Sequence, residues 1–100
     1  MNKNIEGIKI TPLKIIKDHR GSVMHMIRND NEVFEEFGEI YFSTIFENKI
    51  KAWHLHKEAT LNYACVFGKV KLVLFDERKT SKTYGKYQEL FLSLDNYSLI

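Results

Sequence analysis

Val70-Lys71-Leu72-Val73-Leu74-Phe75-Asp76 decides how the rest of this chain is read. Successive side chains of a strand point to opposite faces, so Val70, Leu72, Leu74 and Asp76 share one side while Lys71, Val73 and Phe75 share the other. Both sides stay apolar up to the charged end, and strands of that pattern are usually covered on both faces. In a chain of 100 residues, two covered faces imply either a closed double-sheet barrel or a second subunit lying on one of them.

Short runs rich in Ile, Val, Phe, Tyr and Thr recur on either side at the spacing of all-β sandwiches and barrels. They predict strands at Ile5–Ile10, Leu13–Lys17, Val23–Arg28, Glu39–Phe46, Ile50–His56, Leu61–Phe67, Lys69–Phe75, Tyr87–Leu92 and Tyr97–Ile100. The turns between them have local causes. Asp18-His19-Arg20-Gly21 and Phe67-Gly68-Lys69 put glycine where positive φ is expected, while Glu47-Asn48-Lys49 and Asp95-Asn96 use side chains that bond their own backbone. Arg78–Lys86 reads as a polar loop, and Asn31–Phe37 is the one helical candidate, too short to stand alone. No repeat or linker divides the chain, so residues 1–100 are expected to form one domain. Tyr97-Ser98-Leu99-Ile100 reads as the opening of a strand, which leads to the expectation of a barrel lacking its C-terminal strands or completed by a neighbouring chain.

Composition narrows the function. Apolar residues make up 44% and charged residues 28%, a globular balance rather than a disordered one. The 15 basic and 13 acidic residues are interspersed, giving a net charge of only +2, with no dense basic run of the kind that binds nucleic acid or an anionic membrane. The single cysteine, Cys65, sits in an apolar run and has no partner for an internal disulfide, which suits a reduced cytoplasmic setting. No apolar stretch reaches the roughly 18–20 residues needed to span a bilayer, and the first residues form no secretory leader.

The chemistry concentrates in Lys51-Ala52-Trp53-His54-Leu55-His56-Lys57. On a strand, His54 and His56 share a face. Imidazole titrates near neutral pH, so the pair suits proton transfer and equally suits a metal. A metal would need a further carboxylate or histidine at the same point, from Glu58, His19 or His25. A polar stripe on a half-exposed strand is the third reading. Arg20 and Arg28 flank one predicted hairpin and carry the planar donor fork that suits phosphate, though either serves as well as plain surface charge. Ser81-Lys82-Thr83-Tyr84-Gly85 lacks the glycines and helix of a phosphate-binding loop. Cys65 has no activating base beside it in sequence and reads as an inert core thiol.

Taken in order, several of these stretches resemble the cupin-fold nucleotide-sugar epimerases typified by dTDP-4-dehydrorhamnose 3,5-epimerase. Asp18-His19-Arg20-Gly21 is similar to the family's Asp-x-Arg-Gly hairpin, and Lys51-Ala52-Trp53-His54 stands where the family has Arg-Gly-Leu-His. Gly68-Lys69-Val70, Asp76-Glu77-Arg78 and Ser81-Lys82-Thr83-Tyr84-Gly85-Lys86 resemble its Gly-x-Val, Asp-x-Arg and Ser-x-Thr-x-Gly-Lys succession. The resemblance implies an all-β, double-stranded β-helix (cupin, or jelly-roll) barrel that pairs as a homodimer by exchanging N-terminal strands. It implies a nucleoside-diphosphate 4-keto-6-deoxy sugar as substrate, whose ketone acidifies the hydrogens on the neighbouring carbons. A base removes one to leave an enolate, and reprotonation from the other face inverts the centre without metal or redox cofactor.

By the same resemblance His54 is the general base and Arg20 grips the diphosphate. Lys51 replaces an arginine and keeps a positive charge for the enolate oxygen, at the loss of bidentate geometry. His56 stands where a glutamine is common, and Arg28 joins the candidate substrate-binding residues. The family's acidic tyrosine and its His-orienting aspartate would fall beyond Ile100. His54-x-His56-Lys57 followed by Gly68 also resembles the sugar 3,4-ketoisomerases, which shift the carbonyl instead. Metal-dependent cupins share the His-x-His, but their acidic ligand would fall at Leu61, which cannot ligate. A catalytically silent sugar-binding module is the remaining alternative.

Overall fold

The computed structural model describes residues 4–100. They form six strands, β1 (Thr11–Pro12), β2 (Ile15–Asp18), β3 (Gly21–Met24), β4 (Val70–Phe75), β5 (Tyr87–Leu92) and β6 (Ser98–Leu99), with one 3₁₀ turn at Leu94–Asn96. The strands pair antiparallel as three two-stranded sheets, β1 with β6, β2 with β3 and β4 with β5. The expected all-β class holds, and these ladders do not by themselves close a barrel. No helix among the described residues is long and apolar enough to cross a membrane.

The β4–β5 hairpin is the longest ladder, running from Val70↔Leu92 to Phe75↔Tyr87. One face carries Val70, Leu72 and Leu74 with Leu92, Leu90 and Gln88, and it turns inward: Leu92 and Gln88 are buried. Among the described residues, the other face is not covered within this chain. Phe75 and Phe91 are exposed there, Lys71 Nζ sits 3.6 Å from Glu89 Oε1, and the same ammonium lies 5.9 Å from the centre of the Phe91 ring. An ion pair and a cation–π contact let this face meet water despite its phenylalanines.

The β2–β3 hairpin turns where the sequence places it. Asp18 pairs with Gly21 across the loop residues His19 and Arg20, Gly21 has φ +150°, and Asp18 Oδ1 accepts the Arg20 amide at 2.8 Å. The strands themselves are shifted, at 15–18 and 21–24 rather than 13–17 and 23–28. The turns at Asn48 (φ +62°) and Gly68 (φ +74°) also fall as expected. Asn96 closes a reciprocal cap with Ser93 at the start of the 3₁₀ turn.

Several predicted elements are absent. Ile5–Ile10 is not a strand: the chain turns at Glu6–Gly7, with the Ile8 amide donating to the Ile5 carbonyl. Asn31–Phe37 is not a helix but a turn closed by the Phe34 amide on the Asn31 carbonyl, as three glutamates and a short span would dictate. Glu39–Phe46, Ile50–His56 and Leu61–Phe67 form no ladder. A strand exists only with a hydrogen-bonded neighbour, and among the described residues the one rung here is between Tyr63 and Ile100, each amide donating to the other's carbonyl at 3.0 and 2.9 Å. Phe42, Phe46, Ile50 and Phe67 are each more than four-fifths exposed in consequence.

The interior is correspondingly small. Ile5, Leu92, Tyr97 and Leu99 are the buried apolar side chains among the described residues, joined by Asp76 and Gln88. The radius of gyration, 14.9 Å, exceeds the roughly 13 Å of a compact 100-residue domain, as an open sheet assembly should.

Candidate functional site

His54 and His56 lie between Ile50 and Asn62, ahead of the Tyr63–Ile100 rung and in no strand, and both are exposed. Lys51 fixes the start of that stretch. Its ammonium donates to Ser43 Oγ at 2.8 Å and to the Thr44 carbonyl at 3.0 Å. It thereby ties residues 43–44 to 51 across the Glu47–Asn48 turn, where the Lys49 amide meets the Phe46 carbonyl. The cation three residues before His54 is thus held by neutral oxygens, and among the described residues it has no ion pair.

Arg20 occupies the tip of the β2–β3 hairpin, its Nη2 2.7 Å from Asp18 Oδ2. That guanidinium lowers the Asp18 pKa. Both groups are solvent-exposed, so the pair is worth little in stability and leaves the outer edge of the guanidinium open. Arg28 follows β3 and grips Asp30 through two bonds, Nε to Oδ1 at 2.9 Å and Nη2 to Oδ2 at 3.1 Å. The pairing raises the Arg28 pKa and lowers that of Asp30, and the Arg28 amide donates to Asn31 Oδ1.

Arg28 lines a cavity of about 360 Å³ together with Thr11–Lys14, His25–Ile27, its own partner Asp30 and Asn31. A second cavity, about 450 Å³, lies between Pro12, Ile15 and the Leu94–Ser98 turn. Neither is lined by His54. Among the described residues no hydrogen bond or ion pair joins His54 to Arg20, Lys51 or Arg28, and no three His, Cys, Asp or Glu side chains converge as a metal would require. Cys65 is half-buried, its thiol facing the Phe67 and Gly68 carbonyls.

The most completely bonded polar group is Asp76, only 3% exposed. Its carboxylate accepts from the Arg78 amide, Nε and Nη2 at 2.9–3.0 Å. Ser81 Oγ and Thr83 Oγ1 approach it at 2.6 Å each. The Arg78 guanidinium first, then the two hydroxyls, hold its pKa far below the usual carboxylate range. Reading residues 78–86 as a plain polar loop missed this network. The available signal was Asp76 itself, a carboxylate at an inward position of an apolar strand, where burial demands partners.

With this geometry in place, known proteins give a consistent match. Residues 2–100 match the family described as dTDP-4-dehydrorhamnose 3,5-epimerase. The spore coat polysaccharide biosynthesis protein SpsL of Bacillus subtilis (strain 168) is 31% identical over 96 residues, 96% of this chain and 64% of that protein. The probable low-salt glycan biosynthesis epimerase Agl13 of Haloferax volcanii is 26% identical over 99 residues, 97% of this chain and 64% of its own length. A crystal structure of a dTDP sugar isomerase from Desulfovibrio desulfuricans G20 superposes with a TM-score of 0.79 at 33% identity, covering 95% of this chain and 61% of that one. The chain therefore spans a little under two thirds of the proteins it matches.

Proposed function

Because this chain belongs to the dTDP-4-dehydrorhamnose 3,5-epimerase family, we propose that it acts on a nucleoside-diphosphate 4-keto-6-deoxy sugar in glycan biosynthesis, inverting one or both carbons beside the ketone. The observation that carries the reading is the extent of the match, residues 2–100, which takes in both the Arg20 hairpin and the His54 segment. His54 takes the proton from the carbon next to the carbonyl, and the electron pair left behind moves onto the ketone oxygen. Lys51, whose neutral partners leave its charge unspent, stabilises that enolate oxygen. Return of a proton to the opposite face completes the inversion, so no electrons are exchanged with a cofactor.

Arg20 binds the diphosphate with the part of its guanidinium that Asp18 leaves open, and His56 flanks the sugar. Arg28, beside Lys14 and His25 in the 360 Å³ cavity, contributes a second cationic contact for the nucleotide. The exposed apolar side chains of residues 37–67 are those that a closed double-stranded β-helix and a homodimer would cover, and a cytoplasmic location supplies the nucleotide sugar. The test is product analysis. Incubating the chain with a dTDP-4-keto-6-deoxyhexose and following the ring protons by NMR should reveal an epimer with the ketone still at carbon 4. Migration of the carbonyl to carbon 3 would replace this reading with a 3,4-ketoisomerase, the alternative suggested by His54-x-His56-Lys57. Binding without any change in the sugar would indicate a silent module.

A further inference from the structure

We infer that residues 4–14 form a strap, clasped at its N-terminal end by the Asp76 network and able to open without unfolding the β4–β5 hairpin. Every bond from the strap to the clasp joins parts of the chain more than 70 residues apart. Arg78 Nη2 donates to the Glu6 carbonyl at 2.6 Å, the Lys82 amide to Glu6 Oε2 at 2.9 Å, and the Glu6 amide to Thr83 Oγ1 at 3.0 Å. Ser81 Oγ lies between the Asp76 and Glu6 carboxylates, at 2.6 and 3.0 Å. One step along, the Ile5 amide donates to the buried Gln88 side chain at 2.9 Å, and the Ile5 side chain is itself buried.

The other end is lightly held. β1 has two rungs on β6, extended by the Leu13 amide on the Tyr97 carbonyl and the His25 amide on the Lys14 carbonyl. No ladder fixes residues 4–10 between these ends. The β4–β5 hairpin, by contrast, has six paired positions of its own and meets residues 4 and 5 of the strap through the Gln88 side chain. Local opening is favoured where few apolar contacts and mostly exposed polar bonds hold a segment, which describes the strap and not the hairpin. The consequence reaches the 360 Å³ cavity, because the strap supplies its lining residues Thr11–Lys14 alongside Arg28. Clasp residues Asp76 and Thr83 are positioning groups in this scheme, acting through Glu6. The inference does not depend on the proposed reaction.

Native-state hydrogen exchange on the whole chain tests it. Thr83→Val removes both the acceptor for the Glu6 amide and one hydroxyl on Asp76 while keeping the side-chain volume. The Ile5 and Glu6 amides should then exchange about tenfold faster or more, the scale of one lost hydrogen bond, while the Tyr87–Leu92 amides stay within about twofold. Unchanged exchange at Ile5 and Glu6 would show that the clasp does not hold the strap. A uniform acceleration across both regions would show that the strap is not a separate unit. Asp76→Asn is the stronger disruption, and if it fails to fold, Thr83→Val and Glu6→Gln still decide the question.

Discussion

Arg20 and Asp76 show how differently the same kind of contact works on the outside and the inside. Each involves a carboxylate two residues before an arginine. At the hairpin tip Asp18 and Arg20 stand in water, where the pair contributes little and the cation is free to meet a ligand. At the end of β4 Asp76 is buried and every oxygen must be satisfied. Arg20→Ala is therefore expected to leave thermal stability nearly unchanged but to weaken nucleotide binding by about 1.5–3 kcal/mol, the worth of a charge-assisted hydrogen bond. Titration calorimetry with dTDP measures this, and an unaltered affinity would return Arg20 to ordinary surface charge. The hairpin was legible in sequence because Asp-x-Arg-Gly encodes its own turn. Asp76 has partners just as local, Arg78, Ser81 and Thr83 two, five and seven residues on, but the Glu6 side of the network lies more than 70 residues from Arg78, Lys82 and Thr83 and leaves no local pattern. The surroundings of His54 were illegible for a related reason: parity on a strand sets which face a residue takes, not what lies in front of it.

Among the elements, two of the three ladders, β2–β3 and β4–β5, join strands that follow one another in the chain, and the third, β1–β6, joins its two ends through two rungs only. Tyr87–Leu92 is found at the predicted residues, and Lys69–Phe75 loses only its first. The three runs between Glu39 and Phe67 have the composition of strands, but composition supplies no neighbour, and apart from the Tyr63–Ile100 rung they remain unpaired. Two changes probe elements that did form. Gly68 has φ +74°, and a Cβ there would meet nothing within 4 Å, so Gly68→Ala should cost only the backbone penalty of about 1 kcal/mol in a urea titration. A larger loss would mean that the turn is packed more closely than its geometry indicates. Leu99, 2% exposed, joins β6 to the small interior, and Leu99→Ala should destabilise by about 2–5 kcal/mol. A loss below 1 kcal/mol would mean that this core contributes little to holding the sheets together.

For the whole molecule, the small interior makes the polar clasp a visible part of its stability. The pKa values of Asp76 and Glu6 are both lowered by their donors, Asp76 chiefly by Arg78 and Glu6 chiefly by the Lys82 amide. Carboxylates whose folded-state pKa is depressed contribute stability that is present above their unfolded values, 3.8 and 4.5 here, and lost as pH falls through the folded ones. Urea midpoints should accordingly be flat from neutrality to about pH 5 and drop steadily below it, with a shallower drop in Asp76→Asn. An equal acid slope in that variant would place the acid sensitivity elsewhere. The functional account rests on His54 removing a proton from carbon, and solvent isotope exchange reads that step directly. In deuterium oxide, the wild-type chain should place deuterium beside the ketone of a dTDP-4-keto-6-deoxy sugar, and His54→Asn should slow this by about 10²–10⁴-fold, the usual contribution of a general base, with dTDP affinity retained. Exchange that proceeds equally fast without the imidazole, or that never occurs in the wild type, would contradict it.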